Sequence, residues 1–398
     1  MEHLFLVATL WLALAVLAAI IAFHLKISIA LVEICVGVAA GAAAGAWSGG
    51  ELVGANDEWL RFLASAGAVL LTFLAGAELE PEVMRRKVRE VSVVGMVGFL
   101  APFLGCAAVA HWVLGWEVRA AWLAGIALST TSMAVVYAVM LETGFNRTEF
   151  GKGILGACFV NDLGTVLALG LMFAPFTWKT VAFVIAAVAS LAALPWMTRR
   201  MTDVYAHRTA AIRAKWVLLV LFGLGALALW SGSEAVLPAY LAGMVLAGNA
   251  AQDSFWVRRM RTLTVGFLTP FYFLRAGTLV SVPALLATPL VFIALLAAKV
   301  ASKIFGLYPF IAAFRQDRNE RWYYTLLMST GLTFGTIAAL YGLSKGIITP
   351  AQYSFLVAVV IASAVLPTLV ATWAFVPRHL LAEAVTPTDE EESITEEG

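Results

Sequence analysis

The chain has 398 residues, 62% apolar and 13% charged, with 26 basic against 25 acidic side chains and a net charge of +1. Soluble domains average about 45–50% apolar and about 25% charged, so an ordinary globule, a disordered chain and a collagen-like fibre are excluded, and the charge balance gives no ground for nucleic-acid binding. The apolar residues, which give a mean hydropathy of +0.89, lie in long continuous runs; this excludes an outer-membrane barrel and leaves an all-α polytopic membrane protein.

A membrane-crossing helix needs about 20 mostly apolar residues. In chain order thirteen segments are predicted to cross: 3–23, 27–47, 59–78, 91–114, 119–141, 153–173, 178–197, 214–231, 234–250, 262–282, 287–312, 323–345 and 350–377. No Lys or Arg precedes the first, so it reads as a retained helix. Basic residues favour cytoplasmic loops. With the N-terminus outside, inner loops hold 19 of the 26 Lys and Arg, outer loops hold four, and Arg275, Lys299 and Lys303 lie inside spans. That division supports thirteen spans with the C-terminus in the cytoplasm. The basic segment 198–215 is predicted as the longest inner loop, and it divides the chain into halves, an arrangement common in transporters built from inverted repeats. The tail from about Pro387 carries six acids and no apolar core, and is expected to be disordered.

Charged side chains at bilayer depth are rare and mark function. Asp162 lies near the middle of 153–173, in Asn161-Asp162-Leu163-Gly164-Thr165. A carboxylate there is costly when ionised and unpaired, and a bound cation stabilises the charged form. One carboxylate that holds a proton and a cation in turn is the minimum chemistry of an exchanger. Lys299 and Lys303 share a helix face; Lys303 is favoured as the functional lysine, with Lys299 as the fallback, because a buried Lys readily becomes a proton carrier. Glu33 and Arg275 read as a structural ion pair across the two halves, and Glu78 as a hydrated group near the inner surface. Two spans carry polar breaks, Ser129-Thr130-Thr131-Ser132 and Ser329-Thr330-Gly331-Leu332-Thr333-Phe334-Gly335. Broken helices near the midplane expose half-helix ends that coordinate ions, so Thr131, Ser132 and Thr333 join Asp162 and Asn161 as candidate ligands. Cys35, Cys106 and Cys158 lie in apolar runs and read as buried free thiols. No metal spacing, nucleophile arrangement or phosphate loop occurs, so neither an enzyme nor a cofactor is expected.

The order of these patterns resembles the bacterial monovalent cation/proton antiporters of the sodium/proton exchanger superfamily, in the branch with potassium-efflux and germination-type antiporters. The resemblance covers residues 3 to about 377. It rests on Glu33 with Gly37 and Gly41; Phe73-x-x-Gly76-x-Glu78; Thr131-Ser132; Asn161-Asp162; Ala239-x-x-Ala242-Gly243; Phe271-x-Phe273-x-x-x-Gly277; Lys303-x-x-Gly306; and the Gly331-to-Gly335 break. It implies an inverted-repeat fold in which two broken helices cross near Asp162. It implies a dimerisation domain over 1–80 and 214–282, a core ion-transport domain over 91–173 and 287–377, 178–197 as the linking helix, and 378–398 as an acidic cytoplasmic tail. It also implies a homodimer in the bacterial cytoplasmic membrane and an elevator-like motion of the core. Na⁺ or Li⁺ is the expected cation, with K⁺ second, exchanged for H⁺; Asp162 carries the transported ion, and Lys303 offsets charge.

The chain departs from the electrogenic members, which have two adjacent aspartates, because Asn161 occupies the first position. Electroneutral members with an Asn-Asp pair often carry a Glu five residues before the Asp, and here that residue is Ala157. The expected function is a cation/proton antiporter, with the Asn-Asp pair pointing to electroneutral exchange and Ala157 leaving the stoichiometry open. The alternatives are a sodium-coupled symporter of a small organic solute on a related fold, which needs a larger polar cavity, and a non-transporting scaffold.

Overall fold

A computed structural model describes residues 2–25, 28–48, 54–77, 85–145, 148–173, 177–205, 211–233, 235–252 and 254–380. Glu78, the loop residues Lys26, Arg147 and Arg208, and the acidic tail beyond residue 380 lie outside the described residues. Among those described the chain is helical throughout, with no strand. Eight helices are long and apolar enough to cross a membrane, and shorter apolar helices lie between them.

The helices are α1 (Glu2–Leu25), α2 (Ile29–Ser48), α3 (Glu58–Ala77), α4 (Val88–Ala108, extended by a wide turn over Val109–Val113), α5 (Val118–Ser129), α6 (Met133–Thr143), α7 (Glu149–Phe173), α8 (Trp178–Tyr205) and α9 (Ile212–Trp230). They continue as α10 (Val236–Gln252), α11 (Ser254–Leu263), α12 (Thr269–Thr278), α13 (Val282–Ala287), α14 (Pro289–Ala312), α15 (Arg318–Leu327), α16 (Thr333–Ser344) and α17 (Pro350–Ala374). A turn over Thr264–Leu268 links α11 to α12.

Two predicted boundaries move, each for a visible reason. The segment expected as a loop from residue 198 stays helical to Tyr205, because its polar side chains are anchored to the next helix: Trp216 Nε1 donates to Thr198 Oγ1 at 3.1 Å and Arg213 Nε to Thr202 Oγ1 at 2.9 Å. The span expected to begin at 262 continues from α11, which starts at Ser254. Trp256, Val257 and Met260 are buried on one side of α11, while Arg258 and Arg259 are exposed on the other. Its charge made it look like loop; its periodicity makes it an amphipathic helix. Cys35 is exposed, not buried, since it sits on the outward face of α2, where a small apolar side chain meets lipid as readily as protein.

The helices sort into two packed groups. In one, α2 lies on α12 and α3 on α10 and α12, with α1 against α2, and α8 with α9 alongside α10. Glycines allow these close approaches: a Cβ at Gly41 would sit 2.7 Å from the Thr278 carbonyl oxygen, and one at Gly67 would sit 2.6 Å from that of Leu268. In the other group, α4 packs on α5, α7 and α14, α16 packs on α5 and α17, and α17 also meets α14 and α15. Here α4 and α14 run antiparallel, with Gly98 against Leu307 and Gly105 against Ser302. Each leads a set of one continuous helix, one interrupted helix and a second continuous helix: α4, α5–α6, α7 and α14, α15–α16, α17. Tyr240 of α10 links the groups, its hydroxyl donating to the Phe159 carbonyl of α7 at 3.0 Å.

Candidate functional site

The two interruptions meet. The predicted spans 119–141 and 323–345 are each two half-helices, α5 with α6 and α15 with α16. At the first break Thr130 is extended (φ −61°, ψ 149°). Ser132 N–H donates to the Thr330 carbonyl at 3.2 Å, so the two extended stretches touch. Ser129, Thr130, Thr131, Ser132, Ser329 and Thr330 are all buried.

Interrupting a helix leaves backbone donors and acceptors that no water satisfies at this depth. Side chains from α7 and α14 occupy them. Asn161 Oδ1 accepts from Thr131 N–H at 2.9 Å, and its Nδ2 donates to the Ser129 carbonyl at 3.3 Å. Lys299 Nζ donates to the Thr130 carbonyl at 3.4 Å. Lys303 Nζ donates to Thr131 Oγ1 at 3.0 Å, and that hydroxyl donates to the Met328 carbonyl at 2.8 Å. Both ammonium groups are fully buried. Among the described residues no salt bridge joins either to a carboxylate: the lysines are seated on the C-terminal ends of α5 and α15, where carbonyl dipoles converge and a cation is favoured. Gly331 makes room for this, since any Cβ there would meet Lys299 Nζ.

Asp162 is different. It is 1% exposed and its Oδ1 has no hydrogen-bond partner. It lines a cavity of about 530 Å³ together with Glu33 of α2, Leu71 and Leu74 of α3, Met133 and Tyr137 of α6, Arg261 of α11, Thr269 of α12, and Thr333 and Phe334 of α16. Met133 and Thr333 are the first residues of α6 and α16. The positive ends of both half-helices therefore border the space that holds the carboxylate. Cations sit on the negative ends of the crossing, and the free anion faces the positive ends.

Of the sequence-predicted site residues, Asn161, Thr131 and Lys303 form one hydrogen-bonded chain, Lys299 sits beside it, and Ser132 joins the two breaks through its backbone. Asp162 and Thr333 share the cavity. Glu33 and Arg275 do not pair. Arg275 Nε donates to the Ala55 carbonyl at 2.8 Å, and its side chain lines a second cavity, of about 340 Å³, with Arg61, Asn56, Ser65 and Ser344. Opposite charge suggested the pair, but Gly37 packs on Leu274 and Gly41 on Thr278, a register that sets Glu33 about a helical turn from Arg275 along α2 and α12. The sequence reading missed Tyr137, Thr269 and Arg261, because hydroxyls and an arginine near helix ends carry no distinguishing pattern. It also missed a charge cluster at the end of the second helix group. There Arg315 makes a fork with Glu90 at 2.7–3.0 Å, Glu320 lies 2.8 Å from His379, and Lys87 bonds to Glu149.

Comparison with known proteins fits this geometry. The family described as sodium/hydrogen exchanger, transmembrane, matches residues 12–376. The probable Na⁺/H⁺ antiporter 3 of Methanocaldococcus jannaschii is 24% identical over 337 residues, which cover 81% of this chain and 85% of that protein. The chloroplastic K⁺ efflux antiporter 1 of Arabidopsis thaliana is 28% identical over 344 residues, 79% of this chain but only 28% of that protein. The solved structure of the sodium proton antiporter MjNhaP1 from M. jannaschii superimposes with a TM-score of 0.66 over 97% of this chain and all of that one, at 14% identity. The fold is shared although little of the sequence is.

Proposed function

The chain belongs to the sodium/hydrogen exchanger family, and on that premise we propose that it exchanges a monovalent cation for protons by alternating access at Asp162. Relatives of this chain bear the names of antiporters, not enzymes. The reading is carried by one observation. In a crossing where the backbone ends are bonded, Asp162 alone presents a buried carboxylate oxygen without a partner, and it does so on a cavity wall. That oxygen accepts either a proton or a cation, and the two compete because a single carboxylate neutralises one positive charge at a time.

Asn161 then acts as the orienter of the α5–α6 break, with Thr131, Ser132 and Thr333 shaping the site. Lys303, with Lys299 beside it, neutralises the helix ends and stays charged through the cycle, which makes one-for-one exchange electroneutral. The group containing α4–α7 and α14–α17 is the moving core, and the group containing α1–α3 and α10–α12 is the scaffold, seated on a second copy of the chain, with α8 linking the two. The cavity containing Asp162 is lined by Ser28 and Arg261, which the distribution of basic residues assigns to the cytoplasm. On this reading the Asp162 cavity opens to the cytoplasm, the chain sits in a bacterial cytoplasmic membrane with its N-terminus outside, and it serves pH homeostasis. Na⁺ or Li⁺ is the first-choice substrate and K⁺ the second; relatives named for both Na⁺ and K⁺ exchange support keeping the pair.

The test is reconstitution of the whole chain in liposomes holding a pH-sensitive dye. A proton gradient is imposed, and Na⁺, Li⁺ and K⁺ are added in turn with the membrane potential clamped or free. Cation-dependent proton movement that disappears in Asp162→Asn and ignores the potential is the expected result. Exchange that survives in Asp162→Asn overturns the carrier assignment, and potential-dependent rates overturn electroneutrality.

A further inference from the structure

Glu33 has lost the partner that the sequence suggested for it. It is 3% exposed, on α2, and faces the same cavity as Asp162. Arg275, its expected counter-ion, bonds to a backbone carbonyl and lines the other cavity. Among the described residues no Lys, Arg or His nitrogen forms a salt bridge with it. A buried carboxylate with no counter-ion is costly in its charged form, and either a proton or a cation offsets that cost. On α3 its neighbours along the cavity are the apolar Leu71 and Leu74, while Ser28, Arg261 and Thr269 also line the space. Low-dielectric walls focus the field of the charges that line them.

Glu33 and Asp162 also differ in the body that carries them. Asp162 is on α7, in the group of the crossing, while Glu33 is on α2, in the group packed on α12. We propose that Glu33 is a second, non-travelling cation site: it holds the incoming monovalent cation on the α2 wall and passes it to Asp162 across the cavity. This rests on Asp162 being the carrier. A monovalent ion is the occupant because a divalent cation such as Ca²⁺ takes six to eight oxygen ligands, and on the α2 side this cavity offers one carboxylate and the Ser28 hydroxyl.

The experiment is the initial rate of exchange by the reconstituted full chain against cation concentration on the Glu33 side. Glu33→Gln is expected to raise KM roughly tenfold, the low end of such focusing, with kcat changed by less than about twofold, the signature of lost ground-state binding. Glu33→Asp keeps the charge and most of the affinity. A folded Glu33→Gln protein with the parental KM, or with reduced kcat at unchanged KM, overturns the proposal. Should the amide variant not fold, Glu33→Cys in a Cys35→Ser background is labelled with a sulfonate-bearing or a quaternary-ammonium thiol reagent. The anionic adduct is expected to restore KM and the cationic one to raise it further, and equal KM values for both overturn the proposal. Asp162→Asn, measured alongside, separates the two readings. If it is inactive while Glu33→Gln is parental, Glu33 alone was misassigned. If it still exchanges, the carrier assignment fails whatever Glu33 does.

Discussion

Asn161 and Asp162 are neighbours in sequence with opposite employment. The amide has both ends bonded to the α5–α6 break, whereas the carboxylate has an oxygen bonded to nothing. Asn161→Ala would leave the Thr131 N–H and the Ser129 carbonyl buried without partners. Each such group costs about 1–3 kcal/mol, so a loss of about 2–6 kcal/mol is expected, read as a lower thermal midpoint in detergent. Gly331→Ala tests a different matter. Its Cβ would strike the end of a flexible lysine and not the backbone, so the fold should survive with a small shift in midpoint while exchange slows, because Lys299 is driven off the Thr130 carbonyl. Asp162 was legible in the sequence because a charge in an apolar run has few bland explanations. The seats of Lys299 and Lys303 were not, since a carbonyl or a hydroxyl about 170 positions away leaves no mark on sequence. Charge matching alone paired Glu33 with Arg275, and the register of α2 on α12 separated them.

At the scale of helices, hydropathy gave the elements and polar runs gave the breaks. The hydroxyl cluster 129–132 and the glycine-containing run 329–335 were both read as interruptions, and both are. Boundaries were less legible where charge and helical periodicity compete, as in α11, because an amphipathic helix at a membrane surface has the composition of a loop. The glycine pattern had a further meaning that spacing could not supply. A Cβ at Gly277 would meet the Ile34 carbonyl and lie 2.8 Å from Val38 N, both of them backbone atoms of α2. No side-chain rotation relieves such a contact, so the helices must part. Gly277→Val is expected to destabilise by about 3 kcal/mol, the upper end of overpacking penalties. Gly223→Val, where a Cβ meets nothing within 4 Å, should leave the midpoint unchanged. Equal midpoints for the two variants would show that α2 and α12 are not held this closely.

For the molecule as a whole, the two helix groups are held differently. The group of α2, α3, α10 and α12 relies on close backbone contact, while the group of the crossing is also braced at one end by the fork between Arg315 and Glu90, whose side chains are 17% and 12% exposed. Removing the arginine strands the acid among α4, α7 and α15. Fully buried pairs lose about 3–5 kcal/mol when one partner is removed. The residual exposure here puts Arg315→Gln at roughly 2 kcal/mol, measured by denaturation in detergent, with Glu90→Gln in the same background recovering part of the loss. None of this brace was foreseen, because its members come from ends of helices far apart in the chain, where charged residues are ordinary.

The two cavities are lined differently. One holds Glu33 and Asp162 with Arg261, and among the described residues the other holds Arg61 and Arg275. Fixed charge on a pathway cannot alter the final ratio of ion gradients, because detailed balance ties every forward step to its reverse. It alters only the speed of arrival at each mouth. With Glu33 and Asp162 ionised, a cation is expected to reach the first cavity faster than the second, so exchange under equal and opposite gradients should run at unequal rates. Low salt should sharpen the difference, and high salt, by screening both mouths, should erase it.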